Sequence, residues 1–354
     1  MTESQDQPAT GTPSSVHKRR ARYPGKYPKK FDHKYKELQA DRFPSTVSKV
    51  EAAGKTAAGT HRPIMVNEIL EVLHLAPGKT GADCTLGFGG HALAILKTIQ
   101  PDGKLIGLDV DSKELPKTTS RLLAEGFDER TFVPRLSNFA GLPKILGGID
   151  IPSLDFVFAD LGCSSMQYDD PQRGFSYKHD GPLDMRLNPQ RGEPAFVLLQ
   201  KWDVSKLEAI LTANSDEPES ARLAEGIIGK AKNIKTTRQL SSIIEKILPG
   251  NYPAQELKST FARVFQALRI EVNQEFTALE MFLRNLPMVT KPGGRVAILT
   301  FHSGEDRRVK KSFREYIASG VFSEISEDVT RASMDEQRQN PRSSSAKLRW
   351  AQRA

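Results

Sequence analysis

A glycine-rich segment, Asp83–His91 (DCTLGFGGH), follows a short apolar run and opens a helical pattern. Glycines at such a turn leave the backbone amides and the N-terminus of the next helix open to a ligand, because no side chain blocks the approach. Asp109 ends the following apolar run, Lys104–Asp109. A carboxylate there can accept hydrogen bonds from both ribose hydroxyls of a nucleoside. Together these features predict a site for a nucleoside-containing cofactor.

The turn by itself fits two cofactors. Gly87, Gly89 and Ala92 satisfy the G-x-G-x-x-G/A pattern of dinucleotide-binding proteins, so the turn does not separate NAD from S-adenosylmethionine. His91 argues against NAD, because its bulky side chain would crowd the path of the pyrophosphate. A purely structural glycine turn is the third interpretation.

A second polar segment, Asp160–Gln167 (DLGCSSMQ), follows the apolar run Leu154–Asp160. Ligands of doubly wound sheets bind at the carboxyl ends of the strands, so Asp160 and Ser164 are expected beside the glycine-rich turn. Such a polar strand end is what an acceptor amine needs for its orientation. The alternative is a loop that only caps a helix.

Further polar segments come later in the chain. Their density of Asp, Arg, Gly and Pro suits a rigid wall that faces a substrate, although a salt-bridged connector would have the same composition. His302 follows a strongly apolar run, which places it at the carboxyl end of a strand. The segments are Asp169–Tyr177, Asp180–Arg186 (DGPLDMR), Phe265–Asn273, Phe301–Arg307 and Asn340–Arg349.

The elements that would position these residues alternate between strands and helices. Strands are predicted at 81–85, 104–109, 131–135 and 154–160, with helices at 92–99 and before Gly126. This order predicts a parallel, doubly wound α/β sheet. Residues from about 170 to 258 show helical patterns without a clear strand, which predicts a helical insertion. Alternation resumes with a long helix at 261–285, a strand at 294–301, a basic helix at 305–317 and a last strand at 346–351.

Charge is concentrated at the two ends of the 354-residue chain. Residues 1–60 carry 12 Lys/Arg against 6 Asp/Glu, and residues 331–354 carry 6 against 2, within a net charge of +8. Basic ends of this kind favour a nucleic-acid partner through the release of phosphate counterions. No apolar run approaches the ~20 residues of a membrane span, and no signal-peptide core is present, so a cytoplasmic protein is expected. Two cysteines, Cys84 and Cys163, are expected to be reduced thiols.

Taken together, the segments resemble the RsmH (MraW) family of ribosomal RNA cytosine-N4 methyltransferases. That family's pattern has seven parts, and this sequence contains all of them in order across roughly residues 61–354. The parts are T-x-G-x-G-G-H, D-L-G-x-S-S, R-G-F-S, D-G-P-L-D-M-R, F-Q-A-x-R-I-x-V-N, F-H-S-L-E-D-R and N-P-R-S-x-S-A-K-L-R.

The resemblance implies a fold, a cofactor and the residues that bind it. The fold is a class I S-adenosylmethionine-dependent methyltransferase, a Rossmann-like doubly wound sheet with an inserted all-helical domain. The cofactor is S-adenosyl-L-methionine, and no metal is implied. The implied cofactor-binding residues are Gly89, Gly90, His91, Asp109, Phe139, Asp160 and Gln167.

The domain division that follows has three parts: a disordered basic extension at 1–60, a methyltransferase domain at 61–169 and 259–354, and a substrate-recognition domain at 170–258. The implied reaction is N4-methylation of a cytidine of small-subunit (16S) ribosomal RNA near the decoding centre, within the small ribosomal subunit. Asp160 and Ser164 are the candidate catalytic residues. The candidate substrate-positioning residues are Asp184, Arg186 and His302. No membrane partner is expected, and a homodimer is left open.

Two residues depart from the family pattern. Cys163 stands where Val is common, and Gly304 replaces Leu in the F-H-S-L-E-D element, which predicts a looser turn there. Two alternatives to the implied function remain: a methyltransferase of the same fold that acts on another RNA, and a cofactor-binding ribosome-assembly factor that rarely turns over.

Overall fold

The computed structural model describes residues 63–354, so the basic extension predicted at 1–60 lies outside the described residues. A seven-stranded sheet with the order β3-β2-β1-β4-β5-β7-β6 forms the centre. Its strands are β1 (Thr80–Asp83), β2 (Lys104–Asp109), β3 (Phe132–Leu136), β4 (Leu154–Asp160), β5 (Thr290–Thr300), β6 (Phe322–Ile325) and β7 (Lys347–Arg353).

Strands β1 to β5 are mutually parallel, which confirms the predicted doubly wound sheet. β1 lies between β2 and β4, in register Asp83↔Gly107 and Asp83↔Phe158. The carboxyl ends of β1, β2 and β4 therefore meet at one edge of the sheet. At the far side β7 pairs antiparallel to both β5 and β6, and the short strand β6 was not predicted.

Helices cover both faces of the sheet because the strands are apolar on both. Along β4, Phe156 and Phe158 point to one face, while Val157 and Ala159 point to the other, as the period of two requires. The first face is covered by α1 (Val66–Val72), α2 (Gly90–Ile99) and α3 (Glu114–Ala124), and the second by α4 (Leu142–Gly147), α11 (Glu275–Val289) and α12 (Ser303–Ala318).

A third apolar cluster belongs to the helices between the fourth and fifth strands. Buried Leu, Ile and Phe side chains from Phe175 to Leu268 pack together there. The predicted domain boundary at residue 258 falls inside α10, and the apolar residues of α10 belong to this cluster. The helices are α5 (Ser165–Asp169), α6 (Ala195–Lys201), α7 (Val204–Ser215), α8 (Ser220–Ile228), α9 (Thr237–Ile247) and α10 (Ala254–Asn273); α13 (Met334–Gln339) comes later in the chain.

The single helix predicted at 261–285 is wrong. Gln274 adopts a left-handed conformation, with φ 52°, so α10 ends at Asn273 and α11 begins at Glu275. The local sequence is compatible with a continuous helix, but tertiary contacts favour the break. The amide of Asn273 donates to the Met185 carbonyl at 2.7 Å, and its Oδ1 accepts from the backbone N–H of Leu187 at 2.8 Å.

Cys84 is buried and Cys163 half-buried, and both are free thiols. Within residues 63–354, no helix is both long and apolar enough to cross a membrane.

Candidate functional site

A cavity of about 670 Å³ lies at the carboxyl edge of the sheet. It extends to the helices α5 to α10, here called the helical unit. That volume is in the range of small-molecule sites. Its wall includes the glycine-rich turn, the loops after β2 and β4, the loop around 188–192, the α10–α11 break and the start of α12. Of the predicted site residues it contains Gly90, His91, Asp109, Phe139, Asp160, Ser164, Gln167 and His302.

The glycine-rich turn brings the backbone to the cavity. Gly89 is the N-cap of α2 with φ 74°, and a Cβ there would lie 2.8 Å from Cγ2 of Thr118. A Cβ on Gly90 would lie 3.0 Å from Cγ of Pro63. Gly89 is not itself part of the cavity wall, so its contribution is the shape of the turn, whereas Gly90 lies in the wall.

Asp109 is held in one orientation by the backbone. Its Oδ2 accepts from the N–H of Gly87 at 2.7 Å, and its Oδ1 accepts from the N–H of Asp111 at 2.8 Å. Burial raises the pKa of Asp109 to about 6, against the lowering effect of these two N–H donors. Each oxygen keeps a second lone pair, so the fixed carboxylate can accept two further hydrogen bonds.

Two carboxyl groups stand at the ends of β4 and β1: Asp160 is half-buried in the cavity wall, and Asp83 is buried outside it. Burial, and then the charges of Asp83 and Glu305, raise the pKa of Asp160 to about 8. Burial is also the main cause that raises the pKa of Asp83 to about 7. One oxygen of each carboxyl is buried without a hydrogen-bond partner among the described residues. The unpartnered oxygen of Asp160 is therefore an acceptor that a donor or a cation in the cavity would satisfy.

His91 is fixed beside this pair. Its Nε2 lies 2.9 Å from the carbonyl of Ile64 and must donate, because a carbonyl only accepts. Its Nδ1 lies 3.6 Å from Oδ2 of Asp160, and its ring packs edge-on against Phe158 at 4.9 Å. The histidine of the glycine-rich turn thus connects the first turn of α2 to the acid of β4.

Ser164 caps the short helix α5. Its Oγ accepts from the N–H of Gln167 at 3.3 Å, and the Gln167 side chain accepts from the N–H of Ser164 at 2.9 Å. Gln167 also donates to Asp111 at 2.9 Å. The loop therefore does cap a helix, as one of the two interpretations of the sequence expected. The Ser164 hydroxyl still has its proton to donate. Phe139, on the opposite wall, packs against Phe282 at 5.2 Å between ring centroids.

Sequence reasoning missed two buried cations near the cavity. Arg269 is 3% exposed and forms two hydrogen bonds of 2.9 Å with the carboxylate of Glu275, and it also bonds the hydroxyl of Tyr168. Arg173 pairs with Asp111 at 2.7 Å. Both arginines stand in segments that the sequence singled out, but neither segment indicates which residue its cation pairs with.

Glu305 was missed as well, although it stands in the same segment as His302. Its carboxylate accepts from the N–H of Phe301 at 2.9 Å and lies 3.2 Å from Nε2 of His302. Burial favours the neutral acid, but His302, the Phe301 N–H and Arg269 outweigh it and lower the pKa of Glu305. The environment of Glu305 thus favours its ionised form and that of Asp160 its neutral form, so the two carboxyls have opposite environments.

Asp184 and Arg186 do not line the cavity. They pair with each other through two hydrogen bonds of 2.7 and 2.8 Å, and Arg186 also donates to the carbonyl of Gly192 at 3.2 Å. Because Gly192 and the neighbouring Arg191 do lie in the wall, this pair supports a wall loop from behind.

Gly304 does not loosen the start of α12, which is helical from Ser303. The glycine is buried, and a Cβ there would lie 2.7 Å from Cζ of Phe276, a residue of the cavity wall. Glycine at this position therefore allows the Phe276 ring to pack closely against the start of α12.

Gly304→Leu is expected to destabilise the protein by about 1–3 kcal/mol, because the added side chain must displace Phe276. Chemical denaturation of the two proteins measures this. The control is Gly147→Leu at the exposed end of α4, where an added Cβ would meet nothing within 4 Å. An unchanged midpoint for Gly304→Leu would contradict the packing argument.

Comparison with known proteins places the chain in a family. Residues 58–354 match the model of the MraW methylase family. The chain is 47% identical to "Ribosomal RNA small subunit methyltransferase H 1" of Lachnoclostridium phytofermentans, over 98% of the chain and 96% of that relative. It is 49% identical to "Ribosomal RNA small subunit methyltransferase H 2" of Alkaliphilus metalliredigens, over 95% and 97%.

Solved structures give more distant likenesses. An S-adenosylmethionine-dependent methyltransferase from Aquifex aeolicus aligns with a TM-score of 0.38 and 11% identity, over 87% of this chain and 98% of that one. Fibrillarin from Aeropyrum pernix, with natively bound S-adenosyl-L-methionine, aligns with a TM-score of 0.34 and 11% identity, over 78% and 67%. The matched sequence alone shows the family, and these two structural likenesses add nothing to it.

The predicted family is confirmed by the sequence match, and with it the methyltransferase fold and S-adenosylmethionine as cofactor. The cavity at the carboxyl edge of a doubly wound sheet is where such a fold binds its nucleoside cofactor. From the match over residues 58–354 and the two relatives near half identity, the chain belongs to the MraW methylase family.

Proposed function

We propose that this protein transfers the methyl group of S-adenosylmethionine to N4 of a cytidine in small-subunit (16S) ribosomal RNA, near the decoding centre. The observation that carries the proposal is that one cavity joins the carboxyl edge of the sheet to the helical unit. At one end it holds Gly87 and Asp109, and at the other it reaches Asn188, Arg191 and Gln266. A cofactor and a nucleotide substrate therefore have adjoining places.

The residues present fit the cofactor. Asp109 offers two fixed acceptors for ribose hydroxyls, and Phe139 offers an aromatic wall for the adenine. Asp160, in the cavity wall, has an unpartnered oxygen that suits the cationic half of the molecule. When bound, the cofactor supplies an electrophilic methyl group on a positively charged sulfur.

The remaining difficulty is the acceptor. The exocyclic amine of cytosine is a poor nucleophile, because its lone pair is delocalised into the ring. Positioning of reacting groups contributes about 7–11 kcal/mol in favourable cases. Asp160 and Ser164 lie in the cavity wall at the end of β4, where an oxygen from each could accept hydrogen bonds from the amine protons and fix its direction.

Glu305 adds a third acceptor at the same end of the cavity. Its carboxylate is held by the Phe301 N–H and His302 and keeps a lowered pKa. An ionised carboxylate at this place can accept a hydrogen bond from the acceptor amine and stabilise the positive charge that grows there. His302 then acts through Glu305 as a positioning residue.

The RNA part of the proposal follows from the relatives, which are named as ribosomal RNA small-subunit methyltransferases. Enzymes that act on a base take it out of the stack, so the RNA must be held beside the cavity as well as in it. The helical unit and the loop supported by Asp184 and Arg186 are proposed to grip the RNA, within the small ribosomal subunit.

The test is methyl transfer from labelled S-adenosylmethionine to naked small-subunit rRNA, intact small subunits and transfer RNA, with mass spectrometry of the product nucleoside. N4-methylated cytidine from the small subunit is the expected product. Label in another nucleoside or in transfer RNA would reject the assigned substrate. Tight cofactor binding with no label in any acceptor would instead support an assembly factor.

A further inference from the structure

One face of α12 carries a row of cations. Arg307, Lys310, Lys311 and Arg314, here called the α12 basic row, are spaced by three and four residues and so share one face of the helix. Arg307, Lys311 and Arg314 are exposed, and Lys310 is half-buried. Together with Glu315 and Ala318, the row lines a shallow surface groove.

The protein makes little internal use of this row. Arg307 pairs with Asp216 of α7 at 3.0 Å, but both side chains are more than half exposed, so the pair contributes little to stability. Lys311 lies 3.9 Å from the exposed Glu315. For Lys310 and Arg314, residues 63–354 provide no carboxylate at ion-pair distance.

A cation on the neighbouring face of the same helix behaves differently. Arg308 lies over the ring of Phe276, 3.6 Å from its centroid, and donates to Glu280 at 3.0 Å. Val309 and Phe313 anchor the helix in the core. The large apolar residues of α12 therefore face inward, and the row faces solvent.

The row begins where the cavity ends. The first turn of α12 lines the cavity through Glu305, next to the N-cap His302. With a rise of 1.5 Å per residue, Lys310 and Arg314 lie about 8–14 Å further along the helix axis. A strand that continued from a nucleotide in the cavity along α12 would pass within reach of these long side chains.

We propose that the α12 basic row binds the phosphates of the RNA strand that flanks the target nucleotide; this rests on the proposed function. Phosphates are the partner that a row of four cations without buried ion pairs fits best, since each Lys or Arg can neutralise one and release its counterion. Contacts to phosphate position a strand without reading its sequence. The row thus holds the strand in register while the cavity selects the base.

The test is binding of a transcript of small-subunit rRNA across a range of salt concentrations. Lys310→Glu/Arg314→Glu is expected to weaken binding at least tenfold near 0.1 M salt. In Lys310→Gln/Arg314→Gln the slope of log affinity against log salt should become shallower by about 1.4, since each phosphate contact on a single strand contributes about 0.7. Arg307 is left unchanged so that its contact with α7 persists.

The matched control is Lys97→Glu/Arg130→Glu. Lys97 lies in the last turn of α2 and Arg130 just before the start of β3, so both are exposed cations away from the carboxyl edge of the sheet. Affinity for S-adenosylhomocysteine should be the same in all variants. An unchanged salt slope in the row variants, or an equal loss in the control, would overturn the proposal.

Two further outcomes separate this proposal from others. Salt-dependent RNA binding that needs the row, with no methyl transfer to that RNA, would support the row and reject the proposed function. If the row variants lost binding to anionic lipid vesicles but kept full RNA affinity, the row would serve a membrane surface and the proposal would be wrong.

Discussion

Asp160→Asn is expected to lower turnover by about 100- to 1,000-fold, the usual cost of removing one preorganised electrostatic contact. The Asp160 carboxyl lies in the cavity wall with one oxygen unpartnered, so it is available to the cationic half of the cofactor and to the acceptor amine. Affinity for S-adenosylmethionine should fall together with turnover. Affinity for adenosine, which lacks the cationic half, should not change.

The same substitution is expected to stabilise the free protein at high pH. The pKa of Asp160 is about 8 in the folded state, well above that of an exposed aspartate, so the folded state holds a proton that the unfolded state has lost. The free energy of unfolding therefore falls as the pH rises toward 8, and the full loss is reached above pH 8. Asn carries no such charge, so the variant should melt higher than the wild type at pH 8.5.

Thermal melting at pH 5.5 and pH 8.5 measures this effect, and Asp155→Asn is the matched control. Asp155 lies at the amino end of β4 and accepts from the N–H of Thr80 at 2.8 Å and from Lys291 at 3.1 Å. Burial favours its neutral form, but these donors outweigh it and lower the pKa of Asp155, so its carboxylate stabilises the fold above the unfolded pKa. Asp155→Asn should therefore melt lower and keep its cofactor affinity. A lower melting temperature for Asp160→Asn at pH 8.5 would refute the prediction.

Asp109→Asn is expected to weaken cofactor binding by about 100-fold, which corresponds to about 3 kcal/mol for two hydrogen bonds to a charged acceptor. Asn has one acceptor oxygen, whereas the carboxylate of Asp109 accepts from two backbone N–H groups, those of Gly87 and Asp111. The amide NH₂ would therefore face one of these donors and displace the turn. Calorimetric titration with S-adenosylhomocysteine and with adenosine should show the loss for both ligands.

A double-mutant cycle separates the ribose contact from a general distortion of the site. The wild type should bind 2′-deoxyadenosine more weakly than adenosine, and this difference should disappear in Asp109→Asn. Asp155→Asn should retain the full difference. If Asp109→Asn discriminates between the two nucleosides as well as the wild type does, Asp109 does not bind the ribose.

Much of the fold was predictable, because the strands near the site carry strong local signals. Lys104–Asp109 and Leu154–Asp160 are strands with the predicted bounds. Their apolar runs are buried on both faces and therefore read as strands without any knowledge of their neighbours. The break at Gln274 was not predictable, because the contacts of Asn273 that favour it come from Met185 and Leu187, far away along the chain.

The sequence by itself determined the glycine-rich turn, the acid that ends β2 and the alternation of strands and helices up to β4, since each depends on residue type and short spacing. Tertiary structure alone decided which polar groups share the cavity. Asp109 and Asp160 end different strands, and Glu305 approaches Asp160 from a helix much later in the chain. Tertiary structure also decided that Asp184 and Arg186 lie behind the cavity wall, because a pairing between side chains depends on where the backbone places them. Charge spacing along α12 was visible in the sequence, but its place beside the cavity was fixed only by the folding of the helix onto the sheet.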